Sequence, residues 1–154
     1  MFKFLLVAAL VPALSLAQSL FPRQCPNGAS MPAYMEINGC TTSPCTIPVG
    51  DPIAAYAKGI VSPVATATLT PSLAIRLLGL EIPFPIPDEL QDACAVGTEP
   101  GTCPVAAGQE FDYILYYEDE PFPISGVTVE IEVGLKADDG SYITCVAFDV
   151  YIQS

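Results

Sequence analysis

The amino-acid sequence predicts an all-β protein, a sandwich or a barrel, held together by disulfide bonds. Short apolar or alternating segments follow one another along the chain, and turn residues separate them at intervals of about a dozen positions. Six cysteines stand behind an N-terminal segment typical of exported proteins, and cysteines in exported domains usually pair. Both observations indicate a single secreted β domain.

The clearest strands are 127–133 and 143–152. In the first, an aliphatic residue fills every second position while Thr or Glu fills the positions between, so one face is apolar and the other faces water. The Asp-Asp-Gly turn at 138–140 leads into the second, which alternates in the same way from Val146 to Ile152. We therefore predict a hairpin that lays two apolar faces over a core.

Three weaker strands are predicted upstream of this hairpin. Residues 111–117 are rich in aromatics, and 53–60 and 66–80 show looser alternation. A helix is the alternative for 73–80, although Pro and Gly bracket it tightly. We detect no internal repeat or linker, so one domain is expected.

One segment, 82–88, reads Ile-Pro-Phe-Pro-Ile-Pro-Asp and differs from an ordinary strand. Proline donates no backbone hydrogen bond and keeps the chain extended, so this segment cannot lie inside a sheet. In an extended chain Phe84 and Ile86 project to the same side. The pattern fits an edge strand or a connecting loop, and a polyproline ligand is a further interpretation.

Residues 1–17 are interpreted as a cleaved signal peptide. Lys3 precedes a short apolar run that ends in Ser15-Leu16-Ala17, and the run is too short to span a bilayer. The mature domain is therefore expected at 18–154. Its expected location is secreted or extracellular, with the lysosomal lumen as the alternative.

Charge and composition exclude several functions. The chain has 17 acidic and five basic residues and a formal net charge of −12, so it lacks the clustered cations that nucleic acid binding requires. It contains no histidine, which removes Ser-His and Cys-His nucleophiles and imidazole zinc ligands. A pair of carboxylates could still act as acid and base, but no pair stands out from the other acidic residues. We therefore predict that the chain is not an enzyme and that it has no cofactor and no metal.

The six cysteines permit several pairings. Local geometry favours Cys40–Cys45, across Thr-Thr-Ser-Pro, and Cys94–Cys103, across a Gly-rich turn. This choice leaves Cys25 to join Cys145 and so to connect the two ends of the domain.

Several motifs that lie among these six cysteines occur together in one known family. They are Cys40-Thr-Thr-Ser-Pro-Cys45, Gly79-Leu-Glu-Ile-Pro-Phe-Pro-Ile-Pro87 ahead of Cys94, Cys103-Pro104 and Phe122-Pro123. With these motifs the chain resembles the ML (lipid-recognition) domain family from Cys25 to Ile152, and it most resembles the members that transfer sterols.

The resemblance implies an immunoglobulin-like β-sandwich of about seven strands in two sheets, with three disulfides and a lipid cavity between the sheets. It implies that Phe84 and Phe122 guard the cavity mouth. By matched position, it also places Ile82 and Ile86 near the mouth, and Tyr113, Val129, Ile131 and Phe148 along the wall.

Three functions remain open. The leading one is a monomeric carrier that binds a sterol and delivers it in the secretory or endolysosomal lumen, with a membrane protein as the acceptor. The second is an extracellular carrier of fatty acids, phospholipids or semiochemicals, as in arthropod members of the family. The third, immune recognition of bacterial lipids, is least favoured because phosphorylated heads call for cations that are scarce here. The acidic stretch Glu118-Asp119-Glu120 either contacts a partner or forms a solvated loop.

Overall fold

The computed structural model of the protein describes residues 21–118 and 122–154. These residues contain nine β-strands and one short 3-10 helix, Asp88–Leu90. The all-β class is confirmed. There are nine strands where about seven were expected, and two of the nine, β1 and β6, are very short, with two and three residues. The predicted signal peptide lies outside the described residues, as do Asp119 and Glu120 of the acidic stretch. The strands are β1 (Arg23–Gln24), β2 (Tyr34–Ile37), β3 (Cys45–Pro48), β4 (Ile53–Val61), β5 (Thr70–Leu77), β6 (Leu80–Ile82), β7 (Glu110–Tyr117), β8 (Val127–Lys136) and β9 (Tyr142–Gln153).

The strands form two sheets that face each other across a common core. The larger sheet has the order β1-β9-β8-β5-β6, and β3 joins it by pairing with β9 in parallel. The smaller sheet has the order β2-β4-β7, and all its pairs are antiparallel. The two-sheet sandwich expected from the sequence is thereby confirmed.

The predicted hairpin of β8 and β9 forms the centre of the larger sheet. Its register places Ile131 opposite Phe148 and Val129 opposite Val150, and all four side chains are at most 3% exposed. Alternation with period two therefore placed the apolar face correctly, because successive strand residues point to opposite sides of a sheet.

The segment predicted as one strand over 66–80 is divided in the structure. β5 ends at Leu77, Leu78 and Gly79 form a turn, and β6 returns antiparallel so that Leu80 pairs with Leu77. No helix forms in this stretch of the described chain, because β5 pairs along its length with β8. Both turn residues have positive φ, 52° for Leu78 and 80° for Gly79, as in a type I′ hairpin turn.

Replacing Leu78 by Asn is expected to stabilise the domain. A left-handed backbone is unfavourable for leucine but well suited to asparagine, and the Leu78 side chain is 95% exposed, so no packing is lost. We expect the free energy of unfolding to rise by about 0.5–1 kcal/mol in urea titrations. Leu80→Asn is the control, because Leu80 is also exposed but lacks the positive φ. Equal effects of both variants would show that the backbone conformation is not the cause.

Three disulfides close the fold: Cys25–Cys145, Cys40–Cys45 and Cys94–Cys103, with Cα–Cα distances of 5.6, 5.8 and 5.7 Å. The first bond spans 120 residues and fixes the chain after β1 to β9. No helix in the described ranges has the length and apolar character needed to cross a membrane.

Candidate functional site

Two small apolar chambers lie in a row between the sheets. The outer chamber is lined by hydrocarbon and aromatic side chains from both sheets, from the proline-rich segment and from the 3-10 helix: Ile37, Ile53, Ala55, Leu73, Ile75, Phe84, Ile86, Pro87, Leu90, Leu115, Tyr117, Phe122, Ile131, Val133 and Phe148. The inner chamber lies further along the strands and is lined by Pro32, Met35, Ala55, Ala57, Ile60, Tyr113, Val133, Gly134, Leu135, Thr144 and Val146. Ala55 and Val133 border both chambers.

An aromatic cluster borders the outer chamber. The Phe84 ring meets the Tyr117 ring edge-on at 5.7 Å between centroids and lies 6.3 Å from the Phe122 ring. We call these three residues the gate cluster. Phe122 is only 4% exposed, whereas Phe84 is half-buried.

The proline-rich segment presents Phe84 to this cluster for the reason that the sequence suggested. Pro83 and Pro85 are exposed while Phe84 and Ile86 are partly buried, so the extended chain turns its two large side chains inward. The ladder between β5 and β6 ends at Ile82, and the segment beyond it runs without strand pairing to the 3-10 helix.

The eight residues proposed from the resemblance do not all lie in one place. Tyr113 lines the inner chamber, Val129 is buried in the core at 1% exposure, and Ile82 packs half-buried against the core at the end of β6. The other five line the outer chamber: Phe84, Ile86, Phe122, Ile131 and Phe148. Their role in ligand binding remains a proposal.

Sequence reasoning missed part of the outer chamber. Tyr117 and Leu115 share the inward face of β7 with Tyr113, so extending the alternation of 111–117 would have found them. Leu90 carried no such signal, because it reaches the chamber from the short helix after the prolines.

Each chamber has room for about 20 Å³, which is the space of one water molecule. Sites that enclose drug-sized molecules have volumes of about 300–1,000 Å³. The inward side chains of the two sheets therefore pack almost completely against each other, as dispersion forces favour. A lipid-sized guest fits between the sheets only if they move apart, whereas the resemblance suggested a standing cavity.

The two arginines of the described chain are engaged on the outer face of the larger sheet. Arg23 contacts Glu130 at 2.8 Å and Asp149 at 3.1 Å, and Arg76 contacts Glu132 at 2.7 Å. Hydrogen bonds from these guanidinium groups to the carboxylates raise the pKa of both arginines. Both residues project away from the inter-sheet space.

The two lysines in the described ranges also lie outside the chambers. The Lys58 ammonium sits 4.9 Å from the centre of the Tyr56 ring, and that of Lys136 sits 5.0 Å from the Tyr142 ring. No charged side chain is among the described residues that line either chamber. The inter-sheet space thus suits uncharged, apolar groups.

A group of possible metal ligands, Cys25, Glu132 and Cys145, comes together on the larger sheet. Both of its cysteines are joined in a disulfide, so neither supplies a thiolate to an ion.

Fold and site together define a disulfide-bonded, two-sheet β-sandwich protein with an uncharged, apolar space between its sheets. The model of the ML domain family matches residues 19–152, and the chain belongs to this family of lipid-binding proteins. A comparison with curated protein sequences finds no significant match.

Two solved structures show the same fold. A Niemann-Pick type C2 protein from the Japanese carpenter ant superposes with a TM-score of 0.69 and 20% sequence identity, covering 86% of this chain and 98% of that one. Chicken MD-1, solved in complex with lipid IVa, superposes with a TM-score of 0.53 and 12% identity, covering 83% and 85%. At these identities the likeness concerns the fold.

Proposed function

We propose that this protein carries one lipid molecule, a sterol in the leading interpretation, between its two sheets. The observation that supports the proposal most is the outer chamber, whose described lining is entirely hydrocarbon and aromatic. Removing apolar surface from water yields about 2.5 kcal/mol for each 100 Å², so such a space favours a guest with a large apolar body. The sterol-like and fatty-acid-like candidates both meet this condition.

The structure supports a route by which the sheets could part. No strand ladder joins the two sheets within residues 21–118 and 122–154, so their contact across the chambers depends on side-chain packing. The prolines leave the segment around Phe84 outside any ladder, so moving it breaks no strand hydrogen bonds. We propose that Phe84, with Phe122, swings aside as the ligand enters, and that Ile86, Ile131 and Phe148 then contact it. As the resemblance implies, we also propose that the ligand contacts Ile82 near the mouth of the site and Tyr113 and Val129 along its wall.

A second candidate ligand is a linear lipid such as a fatty acid. The two chambers follow each other along the strand direction, an arrangement that suits an elongated chain. A phosphorylated bacterial lipid is disfavoured, because no cation lines either chamber among the described residues and both arginines are held by carboxylates.

The proposed compartment is extracellular or the lumen of the secretory and lysosomal pathway. Three disulfides support this proposal, because such bonds persist in oxidising compartments, and the composition of residues 1–17 suits a signal peptide. A membrane protein that accepts the lipid, and a monomeric carrier, belong to the same proposal.

Native mass spectrometry of delipidated protein, incubated with cholesterol or with oleic acid, tests the function. We expect one lipid per chain, with cholesterol retained under the leading interpretation and oleic acid under the second. Retention of neither lipid would contradict the proposal.

Ala55→Leu tests whether the lipid lies between the sheets. Ala55 borders both chambers, so a larger side chain there occupies the space that the guest needs. We expect about a tenfold loss of affinity and, because the core is tightly packed, a loss of stability of about 1–3 kcal/mol. Unchanged affinity in a folded variant would place the lipid on the outer surface instead. Ala54→Leu is the control, because Ala54 is the preceding residue on β4 and lines neither chamber.

A further inference from the structure

An open groove lies on the outer face of the smaller sheet, opposite the side that borders the two chambers. Tyr56 of β4 and Ile114 of β7 pair directly in the strand register and line the groove together with the loop at 97–100. Its volume is about 350 Å³, far more than that of either chamber. Ile114 is 46% exposed, and Tyr116, which points to the same face of β7, is 49% exposed. Exposed aromatic and aliphatic side chains beside a groove are typical of a protein interface.

The loop that borders the groove is fixed to the sheet. The Cys94–Cys103 disulfide closes it, and the Ile114 amide donates a hydrogen bond to the Gly97 carbonyl at 2.9 Å. A Cβ at Gly97 would lie 2.5 Å from the Ile114 carbonyl oxygen, so the loop backbone packs directly on β7. The groove therefore exists before a partner binds, and little conformational entropy is lost when one does.

The rim of the groove is negatively charged. Glu99 and Asp112 line it, and both also line an adjoining slot of about 300 Å³, to which Glu110 adds a third carboxylate. All three side chains are exposed, and none of them forms an ion pair within the described part of the chain. No cation is among the described residues that line the groove or the slot. The rim is therefore complementary to a positively charged group.

Tyr56 already attracts a cation within this protein. The Lys58 ammonium lies 4.9 Å from the centre of its ring, in the arrangement of a cation–π contact, although Lys58 does not line the groove. A guanidinium group suits this surface better than an ammonium does. It is planar, it stacks on aromatic rings, and it donates paired hydrogen bonds to carboxylates.

We propose that the groove binds a basic segment of a partner protein, which places an arginine side chain on Tyr56 beside the rim carboxylates and an apolar side chain against Ile114. This inference goes beyond the carriage of a lipid, because it concerns the outer face of the sheet. The formal net charge of −12 favours a basic partner and accelerates its approach at low ionic strength. A choline head group of a lipid is disfavoured, because it carries a phosphate that the carboxylates of the rim would repel.

The test is an NMR titration of the ¹⁵N-labelled protein with two capped pentapeptides, Arg-Leu-Arg-Leu-Arg and Glu-Leu-Glu-Leu-Glu. Glu99→Gln/Asp112→Asn removes two charges from the rim and keeps the Asp112 side-chain oxygen that accepts a hydrogen bond from the Gly59 amide. Asp51→Asn/Glu89→Gln is the control of equal charge, because both residues are exposed and line neither the groove nor the slot.

A second pair of variants tests the apolar part of the groove. Ile114→Ser removes an exposed apolar side chain from it, and Leu80→Ser removes one from β6 of the larger sheet. Because both side chains are exposed, neither substitution is expected to prevent folding.

We expect the arginine peptide to shift the amide signals of the groove residues and the glutamate peptide to leave them unchanged. Affinity for the arginine peptide should fall about fivefold in Glu99→Gln/Asp112→Asn and about fivefold in Ile114→Ser, but less than about twofold in the two controls. It should also fall as sodium chloride is raised from about 50 to about 500 mM.

Three results would overturn the proposal. The first is the absence of shifts with the arginine peptide. The second is an equal loss of affinity in Glu99→Gln/Asp112→Asn and its control, which would show that only the net charge matters. The third is binding to dioleoylphosphatidylcholine vesicles that the rim variant loses, without binding of the arginine peptide, which would assign the groove to a lipid head group.

Discussion

Replacing both Cys25 and Cys145 by serine is expected to lower the free energy of unfolding by about 5 kcal/mol. The bond closes 120 residues, and the entropy that a cross-link removes from the unfolded chain grows with the length of the closed loop. The native state would also lose an anchor, because β1 pairs with β9 through only two residue positions. Since domains are stable by about 5–15 kcal/mol, this variant is expected to be marginally folded.

Urea titration followed by tyrosine fluorescence measures this effect without interference, because the chain has no tryptophan. The Cys40→Ser/Cys45→Ser and Cys94→Ser/Cys103→Ser variants are the matched controls. Their loops span five and nine residues, so we expect losses of about 2–3 kcal/mol each. Equal losses in all three double variants would contradict the dependence on loop length.

The fold was predictable where a single physical rule decides local structure. Alternation of β8 and β9 identified the inward faces, because side chains of a strand point to opposite sides in turn. The turn within 66–80 was missed for a related reason. Leu78 occupies a left-handed position that normally favours asparagine or glycine, so the sequence carries only half of the usual turn signal, at Gly79.

The candidate site was less predictable, because a chamber depends on the distance between sheets. Val129 and Ile131 lie on the same face of β8, yet only Ile131 borders a chamber, while Val129 is packed in the core. Alternation assigns both residues to the same face and cannot distinguish them. The small volume of the chambers is likewise a property of packing across the two sheets, on which no local pattern reports.

The two phenylalanines of the gate cluster, Phe84 and Phe122, differ in burial, so alanine substitutions at the two positions test different things. Phe122 is 4% exposed, so Phe122→Ala removes a core contact and is expected to destabilise the domain by about 3–5 kcal/mol. A loss of binding in that variant would be hard to separate from a loss of folding. Phe84 is half-buried, contacts the other two rings of the gate cluster and belongs to a segment without ladder pairing, so it offers the cleaner experiment.

Phe84→Ala is expected to lower the affinity for the bound lipid by about tenfold to thirtyfold, as the loss of roughly 1.5–2 kcal/mol of apolar contact implies. The free energy of unfolding should fall by only about 1 kcal/mol, because the ring is partly exposed before substitution. Fluorescent-probe displacement and urea titration measure the two quantities on the same sample.

Tyr34→Ala is the control for Phe84→Ala. Its ring is 43% exposed on β2 and lines neither chamber, so neither affinity nor stability should change appreciably. Should Phe84→Ala bind as tightly as wild type, the ligand does not contact the gate cluster. If the free energy of unfolding of Phe84→Ala falls by as much as its free energy of lipid binding, Phe84 is a packing residue of the sandwich. The ligand must then enter between the sheets elsewhere.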